Sequence, residues 1–356
     1  MQKWVALTGG KEMSKRVRVI QYGLGAMGSQ MVQMMLTKRD LEVVGAISGS
    51  GRLAGEDLGK AIGLKKGLGI KVSGNAPEVF NTVEADVVLH ATTSWMKEAF
   101  NQTREALETG KNVITIAEEA SNPWLKSLEK TAREIDRVAK KNDVTFLGTG
   151  VNPGFMMDYL PLALTGVVKE VKGIRIRRVI DWSRYGVTLF EHICAGKDMK
   201  QFNKARAKGE VAFHVGLEQS VRLTAEALGK PVDEYKETAE VRLTKSKRVT
   251  PYMVIEPGTV CGYNQVGHGF RQGKEFVTYE MVAIINPNPK EDGTDVGTFI
   301  SIDGVPGMEV KVGGEFAAQG GWGTVASAVN SIPRVVAARP GLVRGCAGGG
   351  GASGRS

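Results

Sequence analysis

The chain has 356 residues and a mass of 38.2 kDa, enough for roughly two domains. Its 42% hydrophobic and 24% charged residues are ordinary for a globular protein and exclude a largely disordered or collagen-like chain. No apolar run approaches the roughly 18 residues that a membrane-spanning helix needs, so we predict no membrane partner.

The net charge is +9, from 47 Lys and Arg against 38 Asp and Glu. The excess is spread evenly, since residues 1–150 carry 21 basic and 17 acidic side chains. Without a concentrated basic patch, this charge favours small anionic ligands over a nucleic-acid partner. The three cysteines, Cys194, Cys261 and Cys346, show neither a CxxC motif nor metal-ligand spacing. We therefore expect no metal site and a cytoplasmic location.

Strands alternate with helices in the first part of the chain, which we predict to be an NAD(P)-binding Rossmann domain over residues 15–150. A helix in this series is expected to be capped by Asn122, to open at Pro123 and to end near Lys141. This alternation is typical of an α/β fold with a doubly wound parallel sheet. The predicted strands are 17–22, 41–47, 69–72, 85–91, 111–117 and 144–148.

The pattern changes after Val151, where strands become frequent and helices fewer. We predict a second domain over residues 151–322, an α+β substrate and oligomerisation domain built on an open mixed sheet. A helical segment over 323–344 is expected to pack back on the first domain. The predicted strands of the second domain are 173–182, 240–244, 250–257, 262–267, 274–286 and 308–312, and its helices are 157–167, 198–208 and 214–228.

Residues 1–14 are expected to form a loose extension and residues 345–356 a flexible tail, because neither segment has an apolar pattern to bury.

A glycine-rich turn follows the first predicted strand directly and opens the first helix. Gly23, Gly25 and Gly28 have the GxGxxG spacing, in the strand-to-helix context that dinucleotide binding requires. Gly23 allows the tight turn, Gly25 lets backbone amides approach a pyrophosphate, and Gly28 lets the helix lie close to the sheet. We predict that NADP or NAD binds at Gly23, Leu24, Gly25, Ala26, Met27 and Gly28.

The second strand ends in Ser48, where an acidic residue would normally bind the adenosine ribose and exclude a 2′-phosphate. The following loop offers the hydroxyl of Ser50 and the guanidinium of Arg52, which suit a phosphate group. We therefore expect NADP to be accepted, alongside NAD or in preference to it.

Two further segments are predicted to contact the cofactor, because each follows a strand at the ligand-binding edge of the sheet. Ala91, Thr92 and Thr93 come after the fourth strand, and small hydroxylated residues there suit the ribose or nicotinamide. His90 precedes them and is expected to be a packed histidine. Asn152, Pro153 and Gly154 follow the last strand of the first domain and are expected near the nicotinamide carboxamide.

The fifth strand is followed by adjacent carboxylates, Glu118 and Glu119. Neighbouring residues of an extended chain point in opposite directions, so one carboxylate can face the nicotinamide while the other faces away. A carboxylate that is partly desolvated there gains a raised pKa, which suits general acid and base catalysis. The alternative is that both are solvated charges near the start of a helix.

Two arginines and several aromatic, histidine and methionine side chains are candidates for a substrate pocket. Arg177 and Arg178 are adjacent on a predicted strand, so at most one of them points inward to hold a substrate carboxylate. The other candidate pocket residues are Phe146, Phe155, Met156, Tyr185, His192 and His268.

The glycine turn, the segments ITIAEE and GTGVNPGF, and the C-terminal VNSIPRV together resemble the 2,4-diaminopentanoate dehydrogenase family and the related native amine dehydrogenases. The resemblance extends from about residue 15 to 344. The N-terminal half is also similar to the N-terminal domain of dihydrodipicolinate reductases.

The resemblance implies reversible NAD(P)-dependent oxidative deamination of an amine to a ketone and ammonia. It places the family's catalytic glutamate on Glu118, with Glu119 as the alternative, and implies a homodimer. Two other reductases with this scaffold fit less well. A dihydrodipicolinate reductase would need an HHxxK-type cluster, and a homoserine dehydrogenase would need lysine at position 118. A non-catalytic dinucleotide sensor is the third alternative.

Overall fold

Two large β-sheets organise the chain, one in each half of the sequence. The computed structural model describes residues 16–314, 316 and 321–344. The extension predicted for residues 1–14 and the tail predicted for 345–356 lie outside the described residues. Within the described ranges, no helix is long and apolar enough to cross a membrane.

The first sheet has seven parallel strands in the order β15-β6-β5-β4-β1-β2-β3. Its strands are β1 (Val17–Tyr22), β2 (Leu41–Ile47), β3 (Val72–Ser73), β4 (Val87–His90), β5 (Asn112–Thr115), β6 (Thr145–Gly148) and β15 (Gly341–Val343). Strand order reverses at β1, which lies between β2 and β4, and open α/β sheets bind their ligands at such a point. The prediction of a doubly wound Rossmann sheet is confirmed.

Helices cover both faces of this sheet. They are α1 (Ala26–Met35), α2 (Leu58–Ala61), α3 (Ala76–Thr82), α4 (Met96–Glu108), α5 (Glu129–Lys141) and α11 (Trp322–Val336). On one face, α1 and α11 bury Met31 and Val329 against the strands. On the other face, α4 and α5 bury Phe100 and Ile135. Apolar residues recur every three or four positions in these helices, so each presents one buried side to the sheet.

The second sheet has six strands in the order β14-β13-β7-β12-β11-β8, and all its pairs are antiparallel except β7 with β12. This arrangement confirms the predicted mixed sheet. A two-stranded ribbon of β9 and β10 stands apart. The strands are β7 (Glu170–Asp181), β8 (Glu234–Leu243), β9 (Arg248–Val249), β10 (Val254–Ile255), β11 (Val260–Arg271), β12 (Lys274–Ile284), β13 (Gly297–Val305) and β14 (Met308–Val312).

The helices of this second domain are α6 (Leu160–Thr165), α7 (Val187–His192), α8 (Met199–Ala207), α9 (Leu217–Ala227) and α10 (Pro289–Asp292). We call the side of the sheet that packs against Val221 of α9 the inner face, and Ile176 and Tyr279 belong to it. The opposite side, which includes Arg175 and Glu280, is the outer face. Alternation along each strand therefore decides which side chains can reach the first domain.

The helix that we predicted to open at Pro123, with Asn122 as its cap, begins six residues later. Glu118–Ser121 is a short 3-10 turn, and α5 begins only at Glu129. The side-chain amide of Asn122 donates to the backbone carbonyl of Gln219, 3.3 Å away in α9, instead of capping a helix. A contact between domains thus overrides the local N-cap signal.

We predicted a helical segment over residues 323–344 that packs on the first domain. Its helix, α11, ends at Val336, and the chain then adds the edge strand β15 beside β6. Three residues are too few for a strand pattern to be visible in the sequence, but their pairing with β6 is parallel and regular, from Gly341 opposite Thr145 to Val343 opposite Leu147.

Candidate active site

The glycine turn after β1 has the geometry that a dinucleotide needs. Gly23 has a φ of +94°, and a Cβ at this position would collide with the carbonyl oxygen of Ala91. A Cβ on Gly28 would collide with the carbonyl oxygen of Gly23. A Cβ on Gly25, in contrast, would meet no atom within 4 Å. The open space at Gly25, beside the free N–H groups at the start of α1, fits a pyrophosphate.

The loop after β2 presents its polar side chains to solvent beside this turn. Ser48 is buried, and its backbone N–H donates to the carbonyl of Ser73, 2.9 Å away. Ser50 and Arg52 are exposed, and Arg52 forms no ion pair with any described residue. The side chains of Ser50 and Arg52 are therefore available to a ligand, whereas that of Ser48 is buried.

The segment after β4 is fixed by hydrogen bonds among its own side chains. His90 Nδ1 lies 2.9 Å from Thr115 Oγ1, and its Nε2 lies 2.7 Å from Thr92 Oγ1 and 2.8 Å from Gln102 Oε1. Thr93 Oγ1 donates to Glu98 at 2.6 Å. Burial lowers the pKa of His90 to about 4, so this histidine is neutral and packed, as the sequence indicated.

The two carboxylates after β5 have different surroundings. Glu119 Oε2 accepts the backbone N–H of Met96, 2.9 Å away, at the start of α4. Glu118 is directed elsewhere: its side chain hydrogen-bonds Ser94, and its Cβ lies near the backbone of Gly216 in the second domain. The two residues start a 3-10 turn rather than continuing an extended strand, but their side chains still diverge.

Burial raises the pKa of both carboxyl groups, with hydrogen bonds opposing the shift. For Glu118, desolvation is the largest cause, and hydrogen bonds from its own backbone N–H and from Ser94 lower the pKa in part. For Glu119, desolvation is again largest, the Met96 N–H lowers the pKa, and the charge of Glu98 raises it. Neither carboxylate is fully exposed to bulk water.

The loop that leaves β6 packs against Gly216, the same residue that lies beside Glu118. Gly216 separates the two: a Cβ on it would lie 2.6 Å from Cδ of Pro153 and 3.3 Å from Cβ of Glu118. Asn152 immediately precedes this proline, and its Oδ1 is buried without a hydrogen-bond partner. The loop predicted to lie near the nicotinamide therefore lies beside the candidate base.

Arg178 lies on the inner face of the second sheet and is only 6% exposed. Its Nη1 donates to Thr298 Oγ1 at 2.6 Å, and its guanidinium lies over the ring of Phe316, 5.5 Å from the ring centre. Its Nε has no hydrogen-bond partner, and no carboxylate of a described residue pairs with it. Burial lowers the pKa of Arg178 to about 10, whereas the nearby Tyr185 raises it. The group remains a cation at neutral pH.

The hydroxyl of Tyr185 accepts the backbone N–H of Gly321, 3.3 Å away, at the start of α11. Burial raises the pKa of this tyrosine, while Arg178 lowers it. Tyr185 thus connects the buried arginine with the helix that packs on the Rossmann sheet.

His214 was not among the predicted site residues, yet it lies within this cluster. Its backbone N–H donates to Gln265 Oε1 at 2.9 Å, and its carbonyl accepts Gln265 Nε2 at 2.8 Å. Its ring Nε2 is enclosed and has no hydrogen-bond partner. Burial lowers the pKa of His214 to about 4, contact with the Asn152 backbone raises it, and the Arg178 charge lowers it further. A neutral imidazole therefore lies between Arg178 and the loop beside Glu118.

Three predicted pocket residues are not in the site. Arg177 lies on the outer face, where its Nε is 3.2 Å from a carboxylate oxygen of Glu280, because adjacent residues of β7 point to opposite faces. His268 is on the same outer face and pairs with Glu275. Phe146 is completely buried in the core between the Rossmann sheet and its helices.

The other predicted pocket residues occupy three different environments. Phe155 is 47% exposed and lines a cavity of about 720 Å³ between α6 and α11, whose described lining does not include Glu118. Met156 is buried, and His192 is exposed at the end of α7. Tyr185 is the predicted aromatic residue that lies close enough to Arg178 for each to shift the pKa of the other.

Within the described ranges, no group of three or more His, Cys, Asp or Glu side chains could hold a metal ion. The ionisable residues brought together are instead Glu118, Arg178, Tyr185 and His214, at the junction of two domains.

The glycine turn lies at the carboxyl end of β1, and a partly buried carboxylate, Glu118, lies where the two domains meet. This combination defines a class, the dinucleotide-dependent oxidoreductases. Within this class, residues 155–346 match the model of the 2,4-diaminopentanoate dehydrogenase C-terminal domain, and residues 17–142 match that of the dihydrodipicolinate reductase N-terminus. The chain is also 37% identical, over 92% of each protein, to 2,4-diaminopentanoate dehydrogenase of Acetoanaerobium sticklandii. The chain therefore belongs to the 2,4-diaminopentanoate dehydrogenase family.

Two amine dehydrogenases are further relatives. The protein from Streptomyces virginiae is 23% identical over 92% of this chain and 94% of its own length. The solved amine dehydrogenase of Mycobacterium smegmatis is 26% identical and superposes with a TM-score of 0.80, covering 93% of this chain and 96% of that one. The predicted family, enzyme class and NAD(P) cofactor class are confirmed.

Proposed function

We propose that this chain is an NAD(P)-dependent amine dehydrogenase that oxidises an amine to a ketone and ammonia, and that runs in reverse as a reductive amination. The observation that carries the proposal is the position of Glu118, a partly buried carboxylate between the Rossmann sheet and the backbone of Gly216. Family membership supports the same reaction, since the curated relatives are named as dehydrogenases of amines.

Proton transfer by Glu118 is the protein's main chemical contribution in this scheme. The carboxylate takes a proton from the substrate ammonium, and the freed nitrogen lone pair assists loss of hydride from the adjacent carbon. When bound, the nicotinamide supplies the acceptor for that hydride. The substrate has then become an iminium. After releasing its first proton to solvent, Glu118 takes another from the water that attacks this carbon, which gives a carbinolamine. Glu118 then passes this proton to the amino nitrogen, the C–N bond breaks to release ammonia, and the hydroxyl loses its proton to solvent as the ketone C=O forms.

The environment of Glu118 suits these steps. Burial raises its pKa, which makes it a stronger base than an exposed glutamate, and the hydrogen bond from Ser94 limits the shift. Its negative charge also stabilises the positive charge that develops on the iminium, and this effect is largest where water is excluded. In the reductive direction, the same group donates a proton to the departing hydroxyl of the carbinolamine.

The dinucleotide would be held by the turn from Gly23 to Gly28, with its pyrophosphate above Gly25. We propose that NADP is accepted, because Ser50 and Arg52 are exposed beside this turn and no acidic residue stands at position 48. The test is the ratio of dissociation constants for NADPH and NADH: Arg52→Ala weakens NADPH more than NADH, and equal weakening would refute this assignment.

We propose that the substrate carries a carboxylate, as 2,4-diaminopentanoate does, and that Arg178 binds it. A buried guanidinium without an anionic partner is costly, and a carboxylate that accepts two of its N–H groups offsets that cost. Arg178 meets this description among the described residues, because it is 6% exposed and its Nε has no partner. This residue distinguishes an amino-acid substrate from a simple aliphatic amine.

The relative positions of four residues between Arg178 and Glu118 support this orientation of the substrate. The charge of Arg178 acts on His214, whose ring lies against the backbone of Asn152. The next residue, Pro153, packs beside Gly216, which lies next to Glu118. A substrate bound along these residues would have its carboxylate at the arginine and its amine at the glutamate.

We also propose that the protein is cytoplasmic and forms a homodimer through the outer face of the second sheet. The two cysteines of the described residues, Cys194 and Cys261, are both unpaired, which suits a reducing compartment. The outer face presents partly exposed side chains of Arg175, Arg177 and His268. Light scattering tests the dimer, since a monomer at micromolar concentration would refute it.

The reaction is tested by following NADPH and NADH consumption with ammonia and a set of carbonyl compounds. We expect turnover with 2-amino-4-oxopentanoate. Turnover confined to plain ketones and aldehydes would shift the substrate class to simple amines, and binding of NADPH without any turnover would leave only a dinucleotide-binding protein.

A further inference from the structure

Asp158 is a buried carboxyl group that the scheme above does not use. It lies in the short π-helical turn Phe155–Tyr159 and is completely buried. Its Oδ2 accepts the backbone N–H of Gly154 at 2.6 Å, while its own backbone N–H donates to the carbonyl of Gly154 at 2.9 Å. One residue thus holds both polar backbone groups of Gly154.

Gly154 needs such a partner because the chain turns sharply at this point. Its φ is +130°, and a Cβ on it would collide with the carbonyl oxygen of Gly150. A bridge between Val151 and Gly154 closes the loop on itself. The N–H of Gly154 has no helical acceptor at the start of a turn, and a buried N–H left unpaired is destabilising.

The Asp158 carboxyl group also faces α9, the helix whose first turn follows Gly216. The Ser220 hydroxyl is close enough to lower the pKa of Asp158, although neither Ser220 Oγ nor Asp158 Oδ1 has a hydrogen bond of regular geometry. Ser220 lies one helical turn after Gly216, and its N–H donates to the Gly216 carbonyl at 3.2 Å. Asp158 therefore lies against the Asn152–Gly154 loop and the start of α9, two segments that meet at Gly216 beside Glu118.

We propose that Asp158 is a positioning residue, whose carboxyl oxygen holds the Asn152–Gly154 loop so that Pro153 and Gly216 close over Glu118 and exclude water from its carboxylate. The catalytic consequence rests on the proposed function of Glu118. The structural part, that the loop shields this carboxylate, does not depend on any activity.

The charge state of Asp158 does not decide this role. Burial raises its pKa to about 7, and the interactions with Ser220 and Gly154 lower the pKa. Tyr279 of β12 faces the carboxyl group, and its hydroxyl hydrogen-bonds Thr224. Both the ionised and the protonated carboxyl group can accept the Gly154 N–H, and so can the amide oxygen of asparagine.

The first experiment compares Asp158→Ala with Asp158→Asn in the amine-oxidation direction. In Asp158→Ala the loop is released and water reaches Glu118, so we expect kcat to fall at least tenfold. The acid limb of the kcat–pH profile should move to lower pH, because the burial that raises the Glu118 pKa is lost. Asp158→Asn should keep kcat within about threefold of the unmodified protein and leave the limb in place.

Ile302→Ala is the matched control, since Ile302 is 2% exposed in the same core and belongs to β13, outside both segments. It should lower the melting temperature without moving the pH limb. The proposal is overturned if Asp158→Ala behaves like this control, with a lower melting temperature but an unchanged limb and kcat.

The second experiment does not require activity. With ¹³C-labelled glutamate, the Glu118 carboxyl resonance is assigned by its absence in Glu118→Gln and then titrated by NMR. We expect its midpoint to move to lower pH in Asp158→Ala and to stay in place in Asp158→Asn. An unchanged midpoint in Asp158→Ala overturns the proposal. If the midpoint moves but Glu118→Gln retains full turnover, the shielding role stands and the proposed function of Glu118 fails.

Discussion

The carboxylate of Glu119 caps α4 by accepting the backbone N–H of Met96, 2.9 Å away. This hydrogen bond commits one of two adjacent glutamates to the start of a helix, where negative charge is stabilised by the helix dipole. Its neighbour, Glu118, has no such commitment and lies between the two domains. Glu119 therefore has a structural role, and Glu118 is left for the proton transfer proposed above.

Replacing Glu119 by alanine should affect stability more than turnover. The loss of a helix-capping acceptor costs about 1 kcal/mol, so we expect a lower urea midpoint in equilibrium unfolding. The value of kcat should remain within about threefold of that of the unmodified protein, since Glu118 is untouched. A loss of turnover as large as that of a Glu118 variant, with the fold intact, would move the catalytic role to Glu119.

Gly25→Ala should separate cofactor binding from folding. The added Cβ meets no protein atom within 4 Å, so the melting temperature of the free protein should be unchanged. The methyl group would occupy space needed by a pyrophosphate, and we expect the dissociation constant for NADPH to rise at least tenfold, measured by fluorescence titration. Gly28→Ala is the contrasting control, because its Cβ collides with the Gly23 carbonyl and should destabilise the fold. Unchanged NADPH binding in Gly25→Ala would place the pyrophosphate elsewhere.

Arg178→Met should distinguish the two substrate classes. Removal of the guanidinium leaves a carboxylate substrate without its partner, so we expect kcat/KM for 2-amino-4-oxopentanoate to fall roughly 100-fold, equivalent to about 3 kcal/mol. The kcat/KM for a plain ketone of similar length should change much less, because no charge is left unpaired. Arg177→Met, on the outer face, is the control. Equal losses for both substrates would argue against a carboxylate contact at Arg178.

The raised pKa of Asp158 predicts a pH dependence of stability. Burial gives it a pKa of about 7 in the folded protein, above its ordinary value of 3.8. Between these two values the folded protein holds a proton that the unfolded chain has released, so this group's contribution to stability falls as pH rises. The expected slope is up to about 1.4 kcal/mol per pH unit between about pH 4 and 7.

Asp158→Asn lacks that titration, so its free energy of unfolding relative to the unmodified protein should increase from pH 5 to 7 and level off above pH 8. Urea unfolding at four pH values measures this difference. A constant difference across the range would mean that the Asp158 carboxyl does not titrate there.

Local patterns in the sequence were sufficient to predict the Rossmann half of the molecule. Each of its predicted features depends on a short segment in which residue type and spacing have a direct physical meaning. These features are the glycine turn, the buried strands and the carboxylates after β5. The position of Asn122 was misread because its partner, Gln219, is nearly a hundred residues away. The edge strand β15 was missed because three residues show no periodicity.

The second half of the site depends on tertiary structure that no local pattern reveals. Alternation along β7 predicts that Arg177 and Arg178 point to opposite faces of the sheet. It does not predict which of them points inward, because that depends on which face of β7 packs against α9. His268 has a glycine on either side, which suggested a site, but it lies on the outer face. His214 and Asp158 carried no local signal, because each acquires its role from contacts with distant segments: Gln265 and Asn152 for the histidine, and Ser220 for the aspartate.

The most direct test of the account is the turnover of Glu118→Gln at saturating NADPH, ammonia and 2-amino-4-oxopentanoate, together with its NADPH dissociation constant. We predict that kcat falls by at least a factor of about 100, within the range for loss of a general acid or base, while the dissociation constant stays within about twofold. A Glu118→Gln protein that binds NADPH normally and turns over at the unmodified rate would contradict the account.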